Sequence, residues 1–279
     1  MKHFESNWQN KEGLNFYVQG WEPEKKPKAA VALIHGFGEH TGRYAHVGGA
    51  FSQAGYALNG FDLRGHGKSG GVRGHTPSYN ALMDDIADFL LLVEKRYPGV
   101  PRFLYGHSMG GNQVLNFCLR RKPDVVGAIA TGAWLKLASD PPALQVTLAR
   151  TMNSMMPSLT QNSDLDTAAL SHDPKIAEAY IHDPLVHSKI SARLFTSIYE
   201  SGLWALDHAA EFPVPLLLMH GTHDRITSFA ASEAFAKRAG KIVTWHPWDG
   251  LYHEIHNEPE QAEVISVMVH WLVAQLKRN

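Results

Sequence analysis

The chain has 279 residues, of which 44% are hydrophobic and 19% charged, which favours a globular protein with a substantial core over a disordered chain. The 26 lysines and arginines nearly balance the 27 aspartates and glutamates, so the sequence offers no basic surface for nucleic acid. The single cysteine, Cys118, excludes an internal disulfide, and no apolar run reaches the ~18 residues that span a bilayer.

Short apolar runs alternate with longer amphipathic stretches, and this alternation is typical of parallel strands joined by helices. The runs are almost continuously apolar, as expected of strands that are covered on both faces. They lie at residues 30–34, 56–61, 102–105, 125–130, 215–219 and 241–245. A further run at residues 15–19 is interpreted as an edge strand.

Apolar residues at helical spacing predict amphipathic helices between these strands. One such helix covers residues 79–97, and its stripe includes Leu82, Ile86 and Phe89. Another lies at the C-terminus, where the stripe includes Met268 and Leu272. The predicted fold class is therefore α/β, with a mostly parallel central sheet flanked by helices.

Residues 133–208 interrupt this alternation, because they contain no convincing strand. Prolines divide the segment into short helical stretches; they are Pro141, Pro142, Pro157, Pro174 and Pro184. We interpret the segment as an inserted helical cap, so that residues 1–132 and 209–279 form the two parts of one α/β core.

The segment Gly106-His107-Ser108-Met109-Gly110 matches the G-x-S-x-G pattern of a serine nucleophile. It directly follows the predicted strand 102–105 and precedes an apolar helical pattern. A strand, a sharp turn and a helix hold such a serine in a strained and accessible position. The helix N-terminus also favours developing negative charge, so we predict Ser108 as the nucleophile.

A serine nucleophile needs a general base, and the base needs an acid to orient it. In this setting the acid and then the histidine follow the serine in the chain. Asp224 comes just after a buried strand and is the preferred acid, with Asp249 as its competitor. The histidine candidates are His246, His253, His256 and His270. His253 is favoured because it lies in a loop after the last strand, and His256 is the second choice.

The negative charge of a tetrahedral intermediate requires preorganised N–H donors. One predicted donor is the backbone N–H of Met109, directly after the nucleophile. The other is the N–H of Phe37, in the glycine-rich loop after the strand that ends at residue 34. We expect no metal, because His253-Glu254-Ile255-His256 is one residue too short for an H-E-x-x-H site.

These segments together resemble the monoacylglycerol lipase and lysophospholipase family, a serine aminopeptidase-like branch of the α/β-hydrolases. The resemblance covers nearly the whole chain. It rests on the motifs HGFGEH (35–40), DLRGHGKSG (62–70), GHSMGG (106–111), GTHD (221–224) and HEIHNE (253–258). It implies that His253 rather than His256 is the base. It also implies a substrate ester with a long acyl chain and a small polar head, typically a monoacylglycerol.

The sequence thus predicts hydrolysis of carboxylic esters through an acyl-serine intermediate, with no cofactor. The cap carries an apolar stripe at helical spacing, formed by Leu144, Leu148, Met152 and Met155. This stripe either packs on the core or forms an acyl-binding wall that can also touch lipid. The partner expected is a small lipid ester, with transient membrane-surface contact through the cap. The expected location is cytoplasmic, since the N-terminus lacks a signal-peptide pattern.

Four alternatives stay open at this point. Three are enzymes: a lysophospholipase, a short-chain carboxylesterase, and an aminopeptidase that would hold a free amine with cap carboxylates. The cap acids available for that role are Asp164, Asp166 and Glu178. The fourth is a non-catalytic ligand-binding relative, although such relatives usually lack the nucleophile, the base or the acid. The oligomeric state is left open.

Overall fold

The computed structural model describes residues 1–163 and 165–278. In chain order, its strands are β1 (Lys2–Gln9), β2 (Asn15–Glu22), β3 (Ala30–Ile34), β4 (Ala57–Phe61), β5 (Arg102–His107), β6 (Gly127–Thr131), β7 (Thr160–Asn162), β8 (Lys189–Ser191), β9 (Leu216–Gly221) and β10 (Val243–Trp248). The helices are α1 (Ala45–Gln53), α2 (Tyr79–Arg96), α3 (Met109–Arg121), α4 (Ala143–Met155), α5 (Pro174–His182), α6 (Ala192–Asp207), α7 (Phe229–Ala239) and α8 (Gln261–Leu276).

Eight of the described strands form the central sheet, in the order β1-β2-β4-β3-β5-β6-β9-β10. All neighbouring strands in the series β4-β3-β5-β6-β9-β10 are parallel. Strand β2 is antiparallel to both of its neighbours, β1 and β4. The α/β fold with a mostly parallel sheet is confirmed. All six apolar runs predicted after residue 30 are strands, displaced by no more than two residues at their starts.

Strand β3 shows why the apolar runs are continuous. Its five residues are fully buried, and alternate side chains point to opposite faces of the sheet. Ala32 and Ile34 join the core that α2, α3, α6 and α7 cover. Val31 and Leu33 join the second core, which is covered by α1 and α8. Full burial of a valine, leucine or isoleucine side chain stabilises the fold by about 1.5–3 kcal/mol.

The predicted edge strand at residues 15–19 is a strand, but its edge position is wrong. Strand β2 pairs with β4 on one side and with β1 on the other, so β1 forms the edge. β1 has no clear sequence pattern, because most of its side chains are polar and exposed. Only Phe4 and Trp8 pack against the core, and two apolar residues four positions apart are too few to indicate a strand.

The segment between β6 and β9 was predicted to be helical, and helices α4, α5 and α6 do lie there. The expectation that it holds no strand is wrong, because β7 and β8 pair as a small antiparallel sheet. β7 consists of polar residues, so no apolar pattern marked it. Helix α6 is fixed to the nucleophile helix α3, since Asn116 Nδ2 donates to the carbonyl oxygen of Ser201 at 3.1 Å.

Because β3, β4, β5, β6, β9 and β10 run parallel, their carboxyl ends lie at one edge of the sheet, where the following loops meet. The segment containing α4, α5 and α6 supplies further residues beside these loops. Within the described segments, no helix combines the length and the apolar character needed to cross a membrane.

Candidate active site

Ser108 lies in the tight turn between β5 and α3. Its backbone has φ 53° and ψ −117°, a positive-φ conformation that residues other than glycine rarely adopt. The turn is held in place because the Ser108 N–H donates to the Thr131 carbonyl oxygen at 2.9 Å. Glycine is required two residues earlier, since a Cβ on Gly106 would lie 2.3 Å from the Gly110 carbonyl oxygen. The structure therefore gives Ser108 the strained setting that its motif predicts.

His253 and Asp224 are hydrogen-bonded in series to Ser108. His253 Nε2 lies 2.9 Å from Ser108 Oγ, and His253 Nδ1 lies 2.7 Å from Asp224 Oδ2. All three residues are buried, although they come from loops after three different strands. The Nδ1 contact fixes the imidazole so that Nε2 can accept the hydroxyl proton of the serine.

The Asp224 carboxylate is held by a dense set of donors. Its Oδ1 accepts hydrogen bonds from the N–H groups of Ile226 and Thr227, at 2.7 and 2.9 Å. Its Oδ2 also contacts His220 Nε2 at 2.9 Å and the Thr227 hydroxyl at 2.8 Å. Burial alone would raise the pKa of Asp224, but the charge of His253 and the hydrogen bonds from His220 and His253 hold this pKa well below its usual value.

The imidazole of His253 is made more basic by its surroundings. Burial would lower its pKa, but the Asp224 carboxylate outweighs burial and raises this pKa above the ordinary histidine value. His220 and Thr227 were not predicted as partners of the acid. The available signal was their closeness to the GTHD motif, since His220 directly precedes it and Thr227 lies three residues after it.

The competing residues lie elsewhere. His256 is fully buried and stacks on Tyr44, with 4.9 Å between the ring centroids. Asp249 is exposed and lies 3.2 Å from the hydroxyl of Thr222. Among the contacts of the described residues, neither competitor reaches Ser108 or the imidazole of His253 through a hydrogen bond.

The two predicted oxyanion donors lie on either side of the nucleophile. Met109 is the first residue of α3, so its N–H has no carbonyl partner within the helix. Phe37 follows Gly36, where a Cβ would lie only 3.2 Å from the Cβ of Ser108. In the described part of the chain, the N–H groups of Phe37 and Met109 donate to no acceptor. Both amides are therefore free to bind an oxygen beside Ser108.

A buried ionic network that was not predicted from the sequence contacts the loop that carries Phe37. Arg43 contacts Glu39 and binds Glu254 through both ends of its guanidinium group, each at 2.7 Å. Glu39 also accepts from the Gly36 N–H at 2.6 Å. Burial opposes ionisation of Glu39, but Arg43 lowers the pKa of this carboxyl to about 2. Glu39 belongs to the HGFGEH motif and Glu254 to the HEIHNE motif, and this membership was the available sequence signal for the network.

Ser108 and His253 open into a cavity of about 730 Å³. The predicted apolar stripe contributes only its middle part, because Leu148 and Met152 line the cavity. Leu144 and Met155 are 81% and 73% exposed and lie outside this wall, so core packing is wrong for them, and their role in substrate binding stays a prediction. A helix of 13 residues is about 20 Å long, and the two ends of α4 extend past the cavity.

The DLRGHGKSG motif supports the site from outside the cavity wall. Arg64 forms a two-bonded ion pair with Asp85, at 2.6 and 2.8 Å. Ser69 accepts from the Tyr17 N–H at 2.9 Å and donates to the Asp62 carbonyl oxygen. The contacts of Arg64 and Ser69 therefore hold the loop at residues 62–70 in place.

A serine activated in this way, at the carboxyl edge of a mostly parallel sheet, defines a serine hydrolase of the α/β-hydrolase class. The chain belongs to the family described as "Serine aminopeptidase, S33", whose model matches residues 25–260.

Similar proteins of known sequence include monoacylglycerol lipases. The chain is 33% identical to the monoacylglycerol lipase of Mycolicibacterium smegmatis, over 95% of each protein. It is 36% identical to an uncharacterized abhydrolase domain-containing protein of Dictyostelium discoideum, over 93% of this chain but only 28% of that longer protein. The crystal structure of the Paleococcus ferrophilus monoacylglycerol lipase superposes with a TM-score of 0.84 at 32% identity, covering 99% of this chain and all of the other.

Proposed function

We propose that the protein hydrolyses monoacylglycerols to glycerol and free fatty acid through an acyl-serine intermediate. The observation that carries this proposal is the 2.9 Å contact between His253 Nε2 and Ser108 Oγ at a cavity with many apolar side chains. The volume of about 730 Å³ lies within the ~300–1,000 Å³ of typical small-molecule sites. The similarity to two monoacylglycerol lipases supports this choice of substrate.

In the proposed reaction, Ser108 Oγ attacks the ester carbonyl while His253 Nε2 takes its proton. The amides of Phe37 and Met109 bind the oxyanion that forms. His253 then gives the proton to the departing glycerol oxygen, which leaves an acyl group on Ser108. A water molecule, deprotonated by His253, attacks this acyl group and releases the fatty acid. Asp224 stabilises the imidazolium in both halves of the reaction.

The same proposal assigns the segment 133–208 as a cap over the nucleophile. Apolar side chains from this segment, including Leu148, Met152 and Phe195, contribute to the cavity wall and suit an acyl chain. An acyl chain gains free energy in proportion to the apolar area that it buries, so a long chain is favoured over acetate. This argues for a lipid esterase over a short-chain carboxylesterase.

An aminopeptidase is not favoured, because a free amine needs an unpaired carboxylate. Glu39 and Glu254 lie in the cavity wall, but both are bound to Arg43. Asp166 at the cavity is 3.6 Å from Arg225, and Glu178 is exposed and outside the wall. Asp164 lies outside the described residues.

The proposal includes transient contact between the cap and a lipid surface. Exposed apolar side chains cluster on α4 and just after it; they are Leu144, Leu148, Met155, Met156 and Leu159. Leu148 is both 60% exposed and part of the cavity wall, so this surface adjoins the entrance for an apolar substrate. Sedimentation with phosphatidylcholine vesicles would test the contact. The cytoplasmic location stays a prediction.

A hydrolysis panel tests the substrate. It compares monoacylglycerols, lysophosphatidylcholine and p-nitrophenyl esters of graded chain length. We expect the highest kcat/KM for monoacylglycerols with medium or long chains, and a higher kcat/KM for lysophosphatidylcholine would overturn the choice of head group. Fluorophosphonate should attach to Ser108, as located by mass spectrometry, and Ser108→Ala should lose several decades of kcat. An adduct on another serine would overturn the nucleophile.

A further inference from the structure

We propose that Arg43 is a positioning residue that joins three segments of the active site. These segments are the oxyanion loop at residues 35–40, the histidine loop at residues 249–258, and helix α5. Arg43, Glu39 and Glu254 form a buried ion triad, and Glu254 directly follows His253 in the chain. This inference rests on the proposed ester hydrolysis and assigns a role in it to residues that touch no reacting atom.

The ion triad is almost completely buried from solvent. The side chains of Glu39 and Glu254 are 2% and 3% exposed, and that of Arg43 is 11% exposed. Arg43 uses Nη1 and Nη2 to bind the two carboxylate oxygens of Glu254, and Nη1 also binds Glu39. Two-bonded arginine–carboxylate pairs fix orientation as well as distance, which a lysine cannot do.

On one side, the triad fixes the oxyanion loop. Glu39 Oε1 accepts from the Gly36 N–H at 2.6 Å and from the Tyr44 hydroxyl at 2.7 Å. Gly36 directly precedes Phe37, whose N–H is the proposed oxyanion donor. The Glu39 side chain therefore sets the direction of the peptide chain at the point where this donor is presented.

On the other side, the triad fixes the histidine loop. Glu254 directly follows His253, and its Oε2 also accepts from Asn257 Nδ2 at 2.7 Å. The Glu254 N–H donates to the Leu170 carbonyl oxygen at 2.8 Å. The backbone and the side chain of Glu254 are thus both held, and they restrict the position of the neighbouring imidazole.

Helix α5 completes the arrangement. The Arg43 guanidinium lies over the ring of Tyr180, with 4.9 Å from Cζ to the ring centroid. The hydroxyl of Tyr180 lies 3.5 Å from the Phe37 carbonyl oxygen. Arg43 therefore contacts the cap, the oxyanion loop and the histidine loop with one planar group.

The triad also places charge beside His253. Its two carboxylates leave one negative charge that Arg43 does not compensate. The acids that act on the imidazole are Asp224, Glu254 and Glu39, and the rings of His107 and His256 interact with it as well; Arg43 is bound to both glutamates. Both Glu254 and Glu39 raise the pKa of His253, in addition to the larger effect of Asp224. Removing one of these charges should therefore make the base weaker.

Two variants separate positioning from charge. Glu254→Gln removes the charge but keeps the shape, and it should move the acid limb of kcat/KM to lower pH, because one of the charges that raise the pKa of His253 is lost. Arg43→Lys keeps the charge but loses the planar fork. It should lower kcat by about ten- to a hundredfold, with KM changed less than about threefold and the acid limb unmoved. The matched control is Arg121→Met, which breaks an exposed ion pair between Arg121, the last residue of α3, and Asp84 of α2.

The measurements are pH profiles with a soluble p-nitrophenyl ester, the rate of fluorophosphonate labelling, and the melting temperature of each variant. If Glu254→Gln and Arg43→Lys match Arg121→Met in kcat, acid limb and labelling rate, the proposal is wrong. If the unmodified protein cleaves no ester, the proposed function fails instead. The labelling rates of the variants then still decide the role of Arg43, because labelling needs only an activated serine.

Discussion

Gly110 packs so closely against Ile34 that a Cβ at position 110 would lie 2.0 Å from the Ile34 carbonyl oxygen. The first turn of α3 therefore presses directly on the end of β3. Ser108 precedes this turn, and the loop that carries Phe37 follows β3. The absence of a side chain at Gly110 thus keeps the nucleophile and the oxyanion loop at a fixed, short separation.

We expect Gly110→Ala to lower both stability and activity. The added methyl group would also come within 2.5 Å of the His35 carbonyl oxygen, so the backbone of the oxyanion loop must shift. Overpacking of this kind costs about 1–3 kcal/mol, and misplaced donors lower kcat. Thermal melting and ester hydrolysis measure the two effects. Gly49→Ala is the control, because its Cβ would meet only Met1 Sδ at 3.8 Å within the described residues. Equal behaviour of the two variants would contradict the argument.

His253 should be required for activity, and its protonation should limit activity at low pH. Asp224 outweighs burial and raises the pKa of His253, so the protonated, inactive form persists to higher pH than in an ordinary histidine. The acid limb of kcat/KM should therefore lie above the usual value of about 6.5. Activity should fall as the pH decreases through this limb, and His253→Ala should be nearly inactive.

The control for this prediction is His256→Phe. His256 is buried in a stack of rings, and neither of its ring nitrogens has a hydrogen-bond partner in the described residues. Phenylalanine keeps a planar ring at this position without a polar atom, so the variant should keep most of its activity. If His256→Phe were inactive while His253→Ala retained turnover, the base would have to be reassigned.

Asp224→Asn should fold normally and lose most of its activity. An amide would favour the wrong tautomer of His253, and the loss expected in kcat is about four decades. Circular dichroism checks the fold, and hydrolysis of a p-nitrophenyl ester measures the loss. Asp249→Asn should be close to the unmodified enzyme, since Asp249 is exposed and accepts a hydrogen bond from the hydroxyl of Thr222 rather than from His253. The opposite ranking of the two variants would identify Asp249 as the acid.

The local parts of the site could be predicted from the sequence because each is encoded by a short segment. A continuous apolar strand followed by G-x-S-x-G indicates the turn at Ser108, and the order of acid and base then limits the choices to a few residues. The central strands were found for a similar reason, since burial on both faces makes them apolar throughout. β1 was missed because one of its faces is open to water and polar.

The contacts between distant segments could not be predicted in this way. Arg43 and Glu254 are 211 residues apart, and nothing in the composition of either segment identifies its partner. The polar strand β7 lacks the apolar pattern on which strand prediction depends. The apolar stripe on α4 predicted a helix, but it could not show which of its residues line the cavity. Leu148 and Met152 line it, whereas Leu144 does not, because of the way the folded chain packs around α4.

This division of the α4 stripe leads to a prediction about chain length. Each methylene of an acyl chain that is buried against Leu148 and Met152 contributes up to about 0.8 kcal/mol, so four more methylenes should raise kcat/KM by about two decades. Leu148→Gln with Met152→Gln should flatten this dependence and leave acetate esters nearly unaffected. Leu144→Gln with Met155→Gln is the matched control, because these side chains lie on the same helix but outside the wall. Below the micellar concentration the control should keep the full dependence on chain length, since no lipid surface is present. Equal kcat/KM for acetate and dodecanoate esters of the unmodified enzyme would make a short-chain esterase the better description.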